Sequence, residues 1–398
     1  MIEREITPVL VGLFRQYPFV TVTGPRQSGK TTLCRAAFPG LPHVDLDAPD
    51  RRAFAKSDPR GFLARFPQGA ILDEIQRVPD LVSYLKVLAD EDGGTGLFVL
   101  TGSEQFRLSE TIGQSLAGRT ALLRLLPFSL AERRRTGASD ALDDILYSGF
   151  YPRIHDRGLD PTQALGDYLE TYVERDVRRI GEIRDLSAFR RFVRLCAARV
   201  GQLADLGSLG SDAGVPQATA RHWLTVLEAS YVVFRLPPFF ANIRKRLVKL
   251  PKLYFHDVGL AGHLLGIENA GQMAAHPARG PLFEKAVVVE ALKHRFNTGR
   301  RSNLTFFRDA DGLECDLLYE NGNGIGAIET KAGTRIRGSR LAALDRVAKL
   351  LPRVSAKAVV HGGTDRRSRG DCEVVPLEDL PALLARLDAS PPLPAGPG

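Results

Sequence analysis

The run Phe19-Val20-Thr21-Val22-Thr23-Gly24-Pro25-Arg26-Gln27-Ser28-Gly29-Lys30-Thr31-Thr32 constrains this chain more than any other segment. It matches G-x-x-x-x-G-K-[ST] directly behind an apolar, β-branched run that reads as a strand, and Thr32 to Phe38 reads as a helix. A strand feeding such a loop and then a helix start is a phosphate cradle. Its glycines let successive backbone N–H groups turn inward, and the helix N-terminus adds a favourable field for anions. In that reading residues 24–32 hold a nucleotide, Lys30 reaches the β- and γ-phosphates, and the Thr31 hydroxyl ligates Mg²⁺. The bland alternative is a glycine-rich turn that happens to precede a helix. No Asn-Lys-x-Asp guanine-reading motif occurs, which favours ATP over GTP.

Further strand patterns at His43–Leu46, Gly69–Leu72, Leu97–Thr101 and Thr120–Leu125 alternate with helical ones, such as Leu81, Leu85 and Leu88 behind Pro79. Alternation of this kind implies a mostly parallel sheet that places ligands at the carboxyl ends of its strands. Ile71-Leu72-Asp73-Glu74 is an apolar strand ending in two acids. Asp73 would hold Mg²⁺ and Glu74 would orient the attacking water. The next strand ends Leu100-Thr101-Gly102-Ser103-Glu104-Gln105, where Ser103 or Gln105 is a candidate for sensing the γ-phosphate. Arg119 is a candidate for stabilising transition-state charge, in a neighbouring subunit of a homo-oligomer, against the ordinary alternative of a solvated arginine.

The strings Gly24–Thr32, Leu72-Asp73-Glu74-Ile75-Gln76-Arg77-Val78-Pro79-Asp80-Leu81 and Leu116-Ala117-Gly118-Arg119 followed by Leu126-Pro127-Phe128-Ser129-Leu130 resemble AAA-superfamily ATPases predicted in bacteria and archaea. The C-terminal half of that family carries a domain of unknown function. The resemblance continues through Thr171–Val177, Lys252–Leu260 and Leu282-Phe283-Glu284, from about Val9 to Gly333. It implies an α/β fold: a P-loop ATPase core of AAA type, then a winged-helix-like middle, then a small α/β nuclease-like domain. The boundaries that follow are 1–135 for the core, 136–184 for a helical lid or linker, 185–262 for the winged-helix-like part and 280–385 for the nuclease-like part. Asn269 to Gly280 reads as a connector, and 386–398, rich in proline, as a disordered tail.

In the middle segment, helices over Leu186–Ala198, Leu203–Leu209 and Gln217–Leu227 precede strands at Tyr231–Leu236 and Lys252–Phe255. Helix–turn–helix followed by a basic hairpin would present Gln217, Thr219, Arg221 and His222 to a DNA groove, with Arg244, Lys245 and Arg246 on phosphates. The same pattern also suits a packing module or lid.

Farther on, Glu314-Cys315-Asp316 lies before the reversal Asn321-Gly322-Asn323-Gly324, and Glu329-Thr330-Lys331 follows it. Glu329 and Lys331 share a face by alternation, the hairpin brings Asp316 beside them, and Glu284 begins a helix upstream. This is the arrangement of PD-(D/E)xK nucleases, although the usual proline before the aspartate is Cys315 here. Asp316 and Glu329 would hold a second Mg²⁺ through hard oxygens, Lys331 would position water, and Glu284 would support the metal. Cys315 points the other way, into the core. The alternatives are a set of solvated strand residues, or a silent site in a nucleotide-dependent switch that binds protein or DNA without cutting.

The formal charge of +8 allows a polyanionic partner such as DNA but is modest. Four separated cysteines without ligand spacing indicate reduced thiols and a cytoplasmic protein. No stretch reaches the ~20 apolar residues of a membrane span.

Overall fold

The computed structural model describes residues 2–102, 116–173, 183, 185–240, 248–322, 324–336, 338–351 and 353–389. Helix α1 (Thr7–Phe14) leads into strand β1 (Phe19–Thr23), and α2 (Lys30–Ala37) follows the phosphate loop. Then come β2 (His43–Asp45), α3 (Pro49–Ser57), α4 (Pro59–Ala64), β3 (Ala70–Asp73), α5 (Leu81–Asp92), β4 (Phe98–Gly102) and β5 (Thr120–Arg124). The five strands are parallel in the order β2-β3-β4-β1-β5. β1, β3 and β4 are buried along their whole length, as continuous apolar runs covered on both faces must be. That order sets the ends of β3 and β4 on one side of the loop that leaves β1.

Helices α6 (Leu130–Arg134), α7 (Leu142–Ser148), α8 (Pro152–Arg157) and α9 (Pro161–Tyr168) connect the sheet to a middle unit. There α10 (Leu186–Ala198), α11 (Leu206–Ala213) and α12 (Gln217–Ala229) precede an antiparallel ribbon of β6 (Val233–Leu236) and β7 (Lys252–Phe255). Side-chain caps fix two of the helix starts: Asp185 accepts from the Ala188 N–H and Asp205 from those of Gly207 and Ser208. Trp223 packs edge-on against Phe189 and Phe192 inside this unit.

Helices α13 (Val258–Leu264) and α14 (Ala270–Ala275) lead to α15 (Arg279–Asn297) and a second sheet. Its strands are β8 (Leu304–Arg308), β9 (Glu314–Asn321), β10 (Gly324–Lys331), β11 (Val354–His361), β12 (Arg367–Arg369) and β13 (Cys372–Pro376). They lie in the order β12-β13-β11-β10-β9-β8. Helix α16 (Gly338–Leu350) makes the crossover from β10 to the parallel β11, and α17 (Leu380–Ala389) closes the unit.

Two sequence expectations change here. The connector at 269–280 contains α14, whose Met273 is fully buried, because Asn269 caps a short helix through the Gln272 N–H. The tail begins later than 386: α17 runs to Ala389, Leu387 is buried, and Asp388 bonds Tyr319 and pairs with His294 and Arg300. The expected division into separate parts also meets a continuous core, since one cluster of buried side chains runs from Leu126 through the middle unit to Leu387. All four cysteines are buried and free. Among the described residues no helix is long and apolar enough to cross a membrane.

Gly149 sits where α7 meets α13. Its φ is +66°, and a Cβ there would lie 2.3 Å from Asp257 Oδ1. Asp257 accepts from the Phe150 N–H at 2.8 Å and the Leu260 N–H at 3.0 Å, tying the two segments together. Gly149→Ala is expected to cost roughly 2–4 kcal/mol from left-handed strain and overpacking, read as a lowered thermal midpoint.

Candidate functional site

The phosphate loop has the backbone its glycines require. Gly24 has φ +149°, and a Cβ on it would lie 2.1 Å from the Leu125 carbonyl oxygen. Gly29 is left-handed at φ +90° and caps α2. Ser28 and Lys30 are buried, and Lys30 Nζ donates to the Gly24 carbonyl at 3.0 Å and the Pro25 carbonyl at 2.8 Å. Burial lowers the Lys30 ammonium to about 8, against the pull of the Glu74 and Asp73 carboxylates. A bound phosphate would hold that ammonium charged. ATP affinity is therefore expected to fall as pH rises through about 8. Binding at about pH 9 should take up close to one proton per ATP, and far less near pH 7. Calorimetry in buffers of different ionisation enthalpy measures that uptake.

Asp73 ends β3 beneath the loop. It accepts from Thr31 Oγ1 at 2.6 Å, from Thr101 Oγ1, and lies 3.2 Å from His43 Nε2. Burial alone would raise its pKa, but the hydrogen bonds from Thr101, Thr31 and His43 more than offset this and hold it below the usual range. Thr31 and Asp73 thus already face one another as the pair that would hold Mg²⁺, and the hard oxygens suit that ion. Glu74 follows in a left-handed conformation, φ +56°, with Gln76 Nε2 donating to Oε2. Burial raises its pKa, with Lys30 and Arg26 acting in the opposite sense. Arg26, Gln27, Gly29, Lys30, Thr31, Thr32 and Glu74 line a recess of about 230 Å³.

Beside it opens a cavity of about 890 Å³ between the N-terminal segment, α2 and α8, with Ile2, Thr7, Phe128, Pro152 and Arg153 among its walls. Arg4 braces the boundary, donating to the carbonyls of Ser28 at 2.6 Å and Leu126 at 2.8 Å and pairing with Glu132 at 3.0 Å. Sequence reasoning missed Arg4, His43 and Thr101. Only the strand order shows that the last two reach Asp73.

Arg119 lies at the other end of the sheet. Its carbonyl accepts from the Phe19 N–H, at the start of β1, and its guanidinium pairs with Asp90 at 2.6 Å. It therefore does not reach its own chain's loop. Ser103, Gln105, Arg244, Lys245 and Arg246 lie outside the described residues. Gln217, Arg221 and His222 are exposed at the start of α12 and Thr219 is half-buried.

A second pocket of about 560 Å³ lies in the C-terminal unit, lined by Glu284, Glu314, Asp316 and Glu329, with Arg340 and Arg346 on α16. Asp316 Oδ2 accepts from the Thr330 N–H at 2.9 Å and Thr330 Oγ1 at 2.8 Å, and Glu329 pairs with Arg340 at 2.6 Å. Burial and the neighbouring Asp316 push Glu284 up to about 7 and Glu329 up to about 8. Cys315 faces the opposite side, wholly buried among Phe307, Leu318 and Val359.

Lys331 is exposed and is not part of this lining. β10 runs on past its last pairing with β9, Leu317↔Ile328; there Thr330 bonds Asp316, while Lys331, opposite His361 of β11, stays exposed. Lys252, from β7, lies against the carboxylates of this pocket, 2.8 Å from Glu284 Oε1 and 2.5 Å from Glu314 Oε1, in addition to the Arg340 and Arg346 of its lining. Among the described residues no group of three or more His, Cys, Asp or Glu side chains is arranged to hold a metal ion. The second Mg²⁺ expected at Asp316 and Glu329 meets carboxylates already engaged within the protein: Glu329 pairs with Arg340, and Asp316 lies 3.9 Å from the Lys252 ammonium.

A family model described as "AAA domain" matches residues 16–133. Models described as "Domain of unknown function (DUF8612)" and "Domain of unknown function (DUF4143)" match 139–271 and 279–380. Uncharacterized proteins of Mycobacterium tuberculosis and Mycobacterium bovis are each 32% identical over 385 residues, covering 95% of this chain and 84% of the relative. Among solved structures, a Walker-type ATPase of Pyrococcus abyssi is 14% identical, covering 66% of this chain and 95% of that one, with a TM-score of 0.46. DnaA from Aquifex aeolicus, bound to AMPPCP, is 14% identical over 56% of this chain and 86% of that one, with a TM-score of 0.30. The chain belongs to the family of AAA-domain proteins, with a C-terminal domain of unknown function, that includes the two mycobacterial proteins.

Proposed function

We propose that the chain is an ATP-hydrolysing switch that associates with nucleic acid and whose nucleotide state governs the acid pocket of its C-terminal unit. The observation that carries the reading is Asp73, held by Thr31, Thr101 and His43 directly under the loop, with Glu74 beside it. Lys30 would neutralise the β- and γ-phosphates, Thr31 and Asp73 would hold Mg²⁺, and Glu74 would accept a hydrogen bond from the attacking water. Mg²⁺, when bound, supplies charge neutralisation to the phosphates. The cavity beside α2 offers Phe128 and Pro152 as apolar walls for the nucleoside. The three helices of the middle unit followed by the β6–β7 ribbon support a winged-helix reading, and the exposed Gln217 and Arg221 support nucleic-acid contact.

A second reading makes the acid pocket a phosphodiester-cleaving site. The juxtaposition of four carboxylates with Arg340 and Arg346 favours it, and the element order α15-β8-β9-β10-α16-β11 suits a nuclease-like fold. One experiment separates the two: phosphate release from ATP, alongside cleavage of plasmid, linear and single-stranded DNA with Mg²⁺ or Mn²⁺. ATP hydrolysis without cleavage is the result expected of a switch. DNA cleavage that Asp316→Ala removes establishes the second reading, and absence of ATP hydrolysis overturns the first.

A further inference from the structure

Lys252 is 3% exposed, yet the three carboxylates that surround it all belong to the next unit of the fold. Besides Glu284 and Glu314, Asp316 Oδ1 lies 3.9 Å from its ammonium, and the Phe306 ring centroid lies 5.3 Å away. Burial alone would lower the pKa of this ammonium, but the Glu284, Asp316 and Glu314 carboxylates raise it, so it stays charged. Tyr254, two residues along β7, donates its hydroxyl to the same Glu284 oxygen at 2.6 Å. The chain just after β6 and just before β7 is also stitched to the edge of the C-terminal sheet, through the Phe239 N–H to the Phe306 carbonyl at 2.7 Å and the Val248 N–H to the Arg308 carbonyl at 3.1 Å.

The opposite end of the ribbon touches the ATPase unit. In its register Leu236 faces Lys252 and Val233 faces Phe255, so the residues ahead of Val233 lie at the end remote from the pocket. There the Tyr231 hydroxyl meets Thr23 Oγ1 at 2.8 Å. Thr23 is the last residue of β1, directly before Gly24. Tyr231 is held at φ +56°, a left-handed conformation that a tyrosine keeps only where its surroundings impose it.

We propose that Lys252 is a positioning residue of the acid pocket, delivered by the middle unit, and that the β6–β7 ribbon makes its seat depend on whether the phosphate loop holds nucleotide. The proposal rests on the reading of residues 24–32 as an ATP site. Without nucleotide, Lys30 ties down the Gly24 and Pro25 carbonyls immediately beyond Thr23. Phosphates compete for that ammonium and free both carbonyls. The backbone at Thr23 then shifts, and the constrained Tyr231 follows it. The ribbon carries that displacement to its far end and draws Lys252 off the carboxylates. The pocket is thus fully neutralised only in the nucleotide-free protein.

A carbodiimide joins an amine and a carboxylate in contact with net loss of water, and Glu314 and Glu284 have side chains 27% and 16% exposed for activation. The full chain, treated without nucleotide, is expected to give Lys252–Glu314 and Lys252–Glu284 cross-linked peptides in a mass spectrum. A non-hydrolysable ATP analogue with Mg²⁺ should lower their yield on the order of fivefold, within the usual range of allosteric coupling. Thr23→Val should abolish that decrease while keeping the nucleotide-free cross-link. Tyr231→Phe, which removes the same hydrogen bond from the other side, is the companion variant should the first fail to fold. Absence of the cross-link without nucleotide overturns the seat of Lys252. Bound nucleotide is measured on the same samples by equilibrium dialysis. An unchanged cross-link with analogue bound overturns the coupling and leaves the ATP site standing, whereas no bound analogue overturns both.

Discussion

Glu74→Gln is expected to leave ATP bound while slowing its hydrolysis about 10²- to 10⁴-fold, the range for losing a positioned general base. The side chain follows Asp73 at the carboxyl end of β3 and lines the same recess as Lys30 and Thr31. Its backbone is left-handed, which turns the carboxylate toward the loop instead of continuing the strand. An amide of equal size keeps the shape of the recess, but its NH₂ cannot take up a proton from water. Filter retention of labelled ATP together with single-turnover phosphate release checks both halves of the expectation. If binding and hydrolysis fell together, Glu74 would be a structural support and not the group that orients water.

Lys30→Ala is expected to remove nucleotide binding itself. Truncating one partner of a buried charge pair costs about 2–5 kcal/mol, or roughly thirty-fold to several-thousand-fold in affinity. In the nucleotide-free protein the same change leaves the buried Gly24 and Pro25 carbonyls without the ammonium that bonds them, but it also removes the burial penalty of that ammonium. The fold should therefore persist, which an unchanged circular dichroism spectrum would show beside the lost affinity. Retention of ATP binding by the variant would overturn the assignment of residues 24–32.

The phosphate loop and Asp73–Glu74 were legible in the sequence because each lies within a few residues and declares its own backbone: glycines where the loop needs them, acids where an apolar strand stops. Thr101 and His43 were not, since they meet Asp73 only through the order β2-β3-β4-β1, which no local pattern encodes. The acid pocket shows the same limit. Asp316, Glu329 and Glu284 were read from a hairpin and a helix and do line one pocket. Alternation placed Lys331 with them, but it ends β10 beyond the last β9 pairing at Ile328 and is exposed outside the lining. Lys252 and Tyr254 reach Glu284 across thirty-odd residues of chain. Glu314, two residues from Asp316 on the same strand, carried the signal that could have found it.

Helix α15 has a consequence for how this family can be taken apart. One turn from its start it presents Glu284 to the acid pocket. Near its middle Glu290 accepts the Leu130 N–H at 2.9 Å, and Lys293 donates to the Phe128 carbonyl at 2.6 Å, both in the segment that leaves the ATPase sheet. At its end Asn297 reaches Glu5 at 3.1 Å. A chimera joining the front half of one relative to the back half of another would sever these matches in a buried, charged seam. Such hybrids should succeed only when residues 4–5 and 126–133 travel with the helix, so the two halves are expected to have been inherited together and not shuffled.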